Sequence, residues 1–172
     1  VKKNFSGKDA AWLLFMAVLG LLPLIPGVAD NSFRMHVFIL ILLYASMAQA
    51  WNIIGGYCGQ VSFGHSVFFG IGAYGAGMAV VTYGIVPWPG IFIGMVLAAA
   101  VAVLISYPCF KLSGHYFAIA TFAIVEIFNR TFMVWDWVGG ALGLDYPIIE
   151  EGLKNLMWES KTGYYYCALA LF

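Results

Sequence analysis

Five stretches of about 20 residues, nearly empty of charge, follow one another along this chain: 11–28, 35–54, 60–83, 90–110 and 113–135, and a sixth begins near Tyr164. About 20 apolar residues is what a helix needs to cross about 30 Å of hydrocarbon. Inside a bilayer no water satisfies the backbone, so only helices and closed barrels span it. These runs do not alternate apolar with polar residues, which removes the barrel. The expected fold is therefore all-α and integral to the membrane: a polytopic transmembrane helix bundle, one transmembrane domain over 1–172. Composition agrees, with 63% hydrophobic and 9% charged residues, against about 45–50% and about 25% in soluble domains. Disorder needs the opposite balance. Eight basic and eight acidic residues, net charge zero and scattered singly, make no phosphate-binding face, so nucleic acid is not an expected partner.

Lys2, Lys3 and Lys8 precede the first run, which places the amino terminus in the cytoplasm. Counting spans from there puts Pro87, Trp88 and Pro89 outside, Lys111 inside and the loop 136–162 outside. Trp88, Trp135, Trp137 and Trp158 then fall at the outer headgroups. The outer loop is too short to fold alone and reads as a cap. The first run, ending in Gly27-Val28-Ala29, also has features of a cleavable signal peptide; its length, Pro23 and Pro26 favour a retained helix. The chain starts at Val1, and its last apolar run stops half way. It is therefore expected to be a fragment cut inside a transmembrane helix.

The unusual segment is 52–77, which carries eight glycines together with Asn52, Gln60, Ser62, His65 and Ser66. Polar groups in hydrocarbon are costly, and glycine loosens a helix. Non-helical backbone at membrane depth persists only where protein or a watery cavity covers it. One reading is a broken helix whose freed amides and carbonyls line a solute path. The other is close packing, because Gly55/Gly59, Gly72/Ala76 and Ala73/Gly77 have small-xxx-small spacing. Gly55, Gly59, Gly64, Gly72 and Gly77 are the candidate packing positions.

Glu126 and Arg130 stand at i, i+4 in the fifth run, acid before base, the favourable order for an ion pair. A charge at the helix centre costs about 2.5–3.5 kcal/mol on insertion scales. The pair is thus either a structural lock or part of a solute route. His36, His65 and His115 do not form pairs at matched depth, so haem is not expected and His65 reads as a hydrogen-bonded structural histidine. Cys58, Cys109 and Cys167 are odd in number and widely spaced, which indicates neither a disulfide framework nor zinc. No metal, cofactor or catalytic constellation is expected: P-loop, CxxC and HExxH are absent. Gly70-Ile-Gly72-Ala-Tyr-Gly75 spells the dinucleotide fingerprint but lies in an apolar run without a preceding strand.

Two blocks carry a family resemblance. The first is Gly56-Tyr-Cys-Gly-Gln60-Val-Ser62-Phe-Gly64-His65, continuing through Phe68-Phe69-Gly70-Ile-Gly72-Ala-Tyr74. The second is Leu112-Ser-Gly114-His-Tyr116-Phe117-Ala118-Ile119-Ala-Thr121, followed by Glu126-Ile127. Over about 35–150 the chain resembles the permease subunits of high-affinity branched-chain amino acid ABC importers, the LivM type. At Gly139-Gly140 the family usually continues with proline, asparagine and glycine, whereas this chain has Ala141-Leu142-Gly143. Urea and short-amide permeases are similar and are the alternative; a non-transport, helix-packing membrane subunit is a remoter one.

The resemblance implies the incomplete N-terminal part of a permease in the bacterial inner membrane, without catalysis of its own. It implies as partners a second homologous permease, two cytoplasmic ATPases that bind the ATP, and an extracytoplasmic solute-binding protein. The ATPase-contacting loop of such permeases has no candidate here. A branched-chain amino acid needs a zwitterion-compatible patch beside an apolar one. Gln60, Ser62, His65, Tyr116 and Thr121 are the candidate pathway residues, with Phe63, Phe68 and Phe117 as apolar wall.

Overall fold

The computed structural model describes residues 7–28, 31–147 and 151–172. Lys2, Lys3, Ala29 and Glu150 lie outside these, as does the side chain of Lys8. The described residues form six α-helices: α1 (Gly7–Leu21), α2 (Ser32–Asn52), α3 (His65–Val81), α4 (Pro87–Cys109), α5 (His115–Val134) and α6 (Lys161–Leu171). Among them there is no strand, only an isolated bridge between Gly152 and Met157. This is an all-α membrane architecture. Three helical stretches are long and apolar enough to cross a bilayer: Ser32–Tyr57, Pro87–Cys109 and His115–Val134. Ala10–Leu24 and His65–Val81 are apolar but shorter.

Contacts divide the chain into two compact units. One comprises the chain up to Ala48 together with Trp158–Phe172, the other Gln49–Met157. In the first, Asn31 starts α2 by accepting from the amides of Phe33 and Arg34 at 3.1 and 3.2 Å, two of the donors a helix start leaves unpaired. Met35 and Leu42 of α2 and Tyr165 and Ala168 of α6 form its buried core. The Tyr165 hydroxyl, fully buried, donates to the Leu19 carbonyl at 2.7 Å, and the Tyr166 hydroxyl to the Gly20 carbonyl at 3.3 Å. Those carbonyls belong to the last turn of α1, where intrahelical partners run out. Removing α1 would therefore strip α6 of both bonds.

In the second unit, α3 and α4 form the most extensive helix pair, built on small residues. Gly90, Gly94 and Ala98 recur every four residues on α4 and meet Gly72, Gly75, Ala76 and Ala79 of α3. An ideal Cβ on Gly94 would strike the Gly72 carbonyl oxygen and lie 3.1 Å from the Ala76 nitrogen. One on Gly75 would lie 3.2 Å from the Gly94 Cα. Lipid tails are as apolar as leucine, so such contact depends on backbones coming close enough for dispersion to act. Pro87 opens α4 at the position where a missing amide costs nothing, and Val86 before it is extended (φ −56°, ψ 143°). The Trp88 indole N–H donates to the Leu153 carbonyl at 2.9 Å, so the 151–157 segment is tied to the start of α4.

The third apolar run, expected as a span over 60–83, becomes helical only at His65. Gly59 takes φ +67°, outside the helical region, and residues 58–64 run without helical bonding. After α5 the chain turns through Asp136–Val138 and Gly140–Leu142, with Gly139, Gly140 and Gly143 all at positive φ. A Cβ on Gly139 would collide with the backbone of Gly143. The cap is therefore a tight glycine-shaped turn with Val138 buried beneath it.

The seam makes a contrast testable. Gly94→Ala in the full permease should cost about 1–3 kcal/mol through overpacking and lower the thermal unfolding midpoint in detergent. Gly70→Ala, where an added methyl meets nothing within 4 Å, should be neutral or gain up to about 1 kcal/mol of helix propensity.

Candidate functional site

The break between α2 and α3 begins with a change of pitch. Residues Ile53–Tyr57 extend α2 as a π-helical turn, a form often found at functional sites. Gly55 makes this turn possible: an ideal Cβ there would sit 2.6–2.9 Å from ring atoms of Trp51. The indole lies across that space, and its N–H donates to the Ser62 carbonyl at 2.7 Å. The Gln60 amide reaches back to the Ile54 carbonyl at 3.2 Å. The far end of the break is held from α5. Thr121 Oγ1 accepts from the Phe63 amide at 3.2 Å and donates to the Ala118 carbonyl at 3.0 Å. Ser62 Oγ accepts from the Gly64 amide at 3.2 Å, and the Gly64 carbonyl accepts from the Val67 amide in the first turn of α3 at 3.1 Å.

Thr121 lies six residues into α5, about 9 Å along its axis at 1.5 Å per residue. The break therefore docks against the body of a spanning helix, where unpaired amides would be costly. Ser62 and Thr121 are buried, and their hydroxyls are engaged with backbone. The structure thus brings these two of the predicted pathway residues together. Gln60 is half-buried in the same segment. His65 begins α3, and its Nδ1 is buried with no hydrogen-bond partner among the described residues. Tyr116 is 73% exposed on α5 and does not join the group.

The candidate packing glycines divide in a similar way. Gly72 lies in the α3–α4 seam, and Gly77 sits under Leu144, 3.5 Å from the place of its Cβ. Gly64 touches Ser62, Phe68 and Thr121 at ordinary contact distance. Gly55 makes room for a side chain of its own helix, and Gly59 has open space around it and serves its left-handed backbone.

Beside the break lies a cleft of about 400 Å³ between α3, α5 and the glycine turn. Ser66, Tyr74 and Asn129 give it polar atoms, and Val67, Ile71, Phe128 and Phe132 an apolar wall. The Tyr74 and Phe132 rings pack with centroids 4.8 Å apart. A neighbouring groove of about 560 Å³, running to Trp135 and Trp137, is almost wholly apolar. Sequence reasoning passed over Trp51, Tyr74 and Asn129. The signal for Trp51 was its place one turn before Gly55, that for Tyr74 its place in the first resemblance block, and that for Asn129 its place beside Arg130 and three residues after Glu126.

Glu126 and Arg130 form an ion pair, Arg130 Nε to Glu126 Oε1 at 2.7 Å. Their side chains are 49% and 74% exposed, on a face of α5 away from the buried Phe117 and Thr121. Among the described residues no group of three His, Cys, Asp or Glu side chains is arranged to hold a metal ion.

Replacing Thr121 tests the latch. Thr121→Val keeps the shape but leaves the Phe63 amide without its acceptor, at about 1–3 kcal/mol. Amide hydrogen exchange at 62–64 should accelerate, whereas Thr121→Ser should exchange as the unaltered protein does.

Residues 33–171 match the family model described as the branched-chain amino acid transport system / permease component. The chain is 32% identical over 88 residues to the high-affinity branched-chain amino acid transport system permease protein LivM of Escherichia coli K12, covering 51% of this chain and 21% of that protein. It is 29% identical over 86 residues to the protein of the same name from Salmonella typhimurium LT2, covering 50% and 20%. The matched part thus spans about a fifth of these curated relatives. No solved structure matches the chain.

Proposed function

We propose, from the premise that this chain belongs to the branched-chain amino acid transport system permease family, that it is part of the membrane subunit of an ABC importer for branched-chain amino acids. The match across 33–171 carries this reading. The proposed transporter sits in the bacterial cell membrane with the amino terminus of this chain in the cytoplasm. It pairs this permease with a second, similar one, takes solute from an extracytoplasmic binding protein, and is driven by ATP hydrolysis on two cytoplasmic ATPase subunits. The permease itself supplies a path that opens alternately to either side, a shift between populated states rather than a chemical step.

The geometry supports a path close to the break. Backbone at membrane depth that is not helical is tolerated where it is buried in protein or lines a cavity, and a cleft with mixed lining begins at Ser66 and Val67, in the first turn of α3 just past the segment 58–64. Ser62 and Thr121 act here by holding the backbone of the break, since their hydroxyls are occupied. Gln60, half-buried in the break, is the member of the group with polar atoms left for a passing solute, while the His65 Nδ1 is buried.

Uptake by the complete transporter, reconstituted with its ATPases and binding protein, tests the reading. Radiolabelled leucine should accumulate in an ATP-dependent manner and urea should not. Gln60→Ala together with Ser62→Ala should lower leucine uptake at normal expression. Accumulation of urea without leucine would replace this reading with amide import.

A further inference from the structure

α3 carries glycine on two faces, and packing explains only one of them. On the face toward α4, an ideal Cβ on Gly75 would lie 2.9 Å from Leu97 Cδ1 and 3.2 Å from the Gly94 Cα, and one on Gly72 would lie 3.8 Å from the Gly94 carbonyl oxygen. Gly70 has no such neighbour, for a Cβ there would meet nothing within 4 Å. Its backbone is ordinary right-handed helix, so no positive φ calls for glycine either. Glycine inside a helix weakens it relative to alanine. Neither contact nor turn geometry offsets that cost at Gly70.

What Gly70 does border is the cleft. Ser66, Gly70 and Tyr74 stand at i, i+4 and i+8 on α3 and line the cleft together, a single strip along the helix. The missing side chain is in the middle of that strip. Asn129 lines the cleft from α5, with Phe128 and Phe132 as apolar wall. No hydrogen bond within the described residues engages the Ser66 hydroxyl, the Tyr74 hydroxyl or the Asn129 amide. None of the lining side chains is charged, so the space suits the uncharged part of a solute. Its volume of about 400 Å³ lies within the range of small-molecule sites.

We propose that Gly70 is the size-determining residue of the solute passage, its absent side chain keeping the cleft between α3 and α5 open to the branched side chain of an aliphatic amino acid. Ile71, Phe128 and Phe132 then border that side chain, and Ser66 and Asn129 offer neutral hydrogen-bonding groups beside it. A methyl group at position 70 takes space from the cleft without touching any helix. Leucine, whose branch point stands one methylene further out than that of valine, loses room first. This rests on the amino acid import reading and deepens it: the passage discriminates by the size of the apolar side chain, at a position where helix packing asks for nothing.

The test uses the complete transporter with Gly70→Ala and Gly70→Leu, both residues being good helix formers. Uptake of leucine and of valine is measured separately, each delivered by binding protein saturated with it, and the unfolding midpoint is measured in detergent. Gly70→Ala should leave the midpoint unchanged or raised and lower the leucine-to-valine uptake ratio about tenfold, the size expected for one methylene in a fitted pocket. Gly70→Leu should lower uptake of both by about tenfold or more at unchanged complex yield. A midpoint lowered by Gly70→Ala would show that the position packs against another helix of the transporter and would overturn the proposal. An unchanged leucine-to-valine ratio in Gly70→Ala, or full uptake by Gly70→Leu, would overturn it too, while leucine import by the unaltered transporter stands. Where Gly70→Leu does not assemble, the ratio in Gly70→Ala decides. A transporter that carries urea and neither amino acid would overturn the import reading itself.

Discussion

The Phe63 amide has no helix to bond within, and the hydroxyl of Thr121 supplies its acceptor from another spanning helix. Much of the second unit follows from that requirement. A bilayer offers no water to a broken backbone, so each amide and carbonyl between α2 and α3 needs a partner within the protein. Trp51 serves one end, Thr121 the other, and Ser62 the turn into α3. Removing any one leaves a polar group desolvated, which costs more than the bond itself contributes. The break is thus a cooperative feature, built from side chains far apart in sequence.

Glycine serves three purposes around it. In the α3–α4 seam its missing Cβ lets two backbones touch, as at Gly72, Gly75, Gly90 and Gly94. At Gly55 the same absence makes room for the indole that bonds the break. At Gly59 and Gly139 the need is conformational, a positive φ that other residues rarely adopt. A single residue type therefore gives helix contact, room for a hydrogen-bonding ring, and turn. The spacing pattern Gly55/Gly59 resembles the packing motif but serves the other two.

α5 both holds the break and lines the cleft. Its buried face carries Phe117 and Thr121, the latter holding the break, while Phe128 and Phe132 form a cleft wall. Its exposed face carries Glu126 and Arg130. A helix that presents apolar, hydroxyl and charged groups to different sides cannot be surrounded by lipid alone. Any shift of α5 moves both the latch and the ion pair.

The sequence by itself determined the solvent this chain lives in, its all-α class and its family, and it offered a break at the glycine cluster as one of two readings. Those are properties of local composition: a run of about 20 apolar residues and a cluster of glycines carry their cost in lipid wherever the rest of the chain goes. The i, i+4 spacing of Glu126 and Arg130 agrees with the ion pair on α5, because such neighbours are set within one helix. Spacing did not read the partnership of Phe63 with Thr121, 58 positions apart, the opposition of Gly94 to Gly72, or the exposure of Tyr116. Those depend on how each helix is rotated and how closely it approaches its neighbour. Rotation and approach are decided by the joint packing of all the helices, and no stretch of sequence contains that information alone.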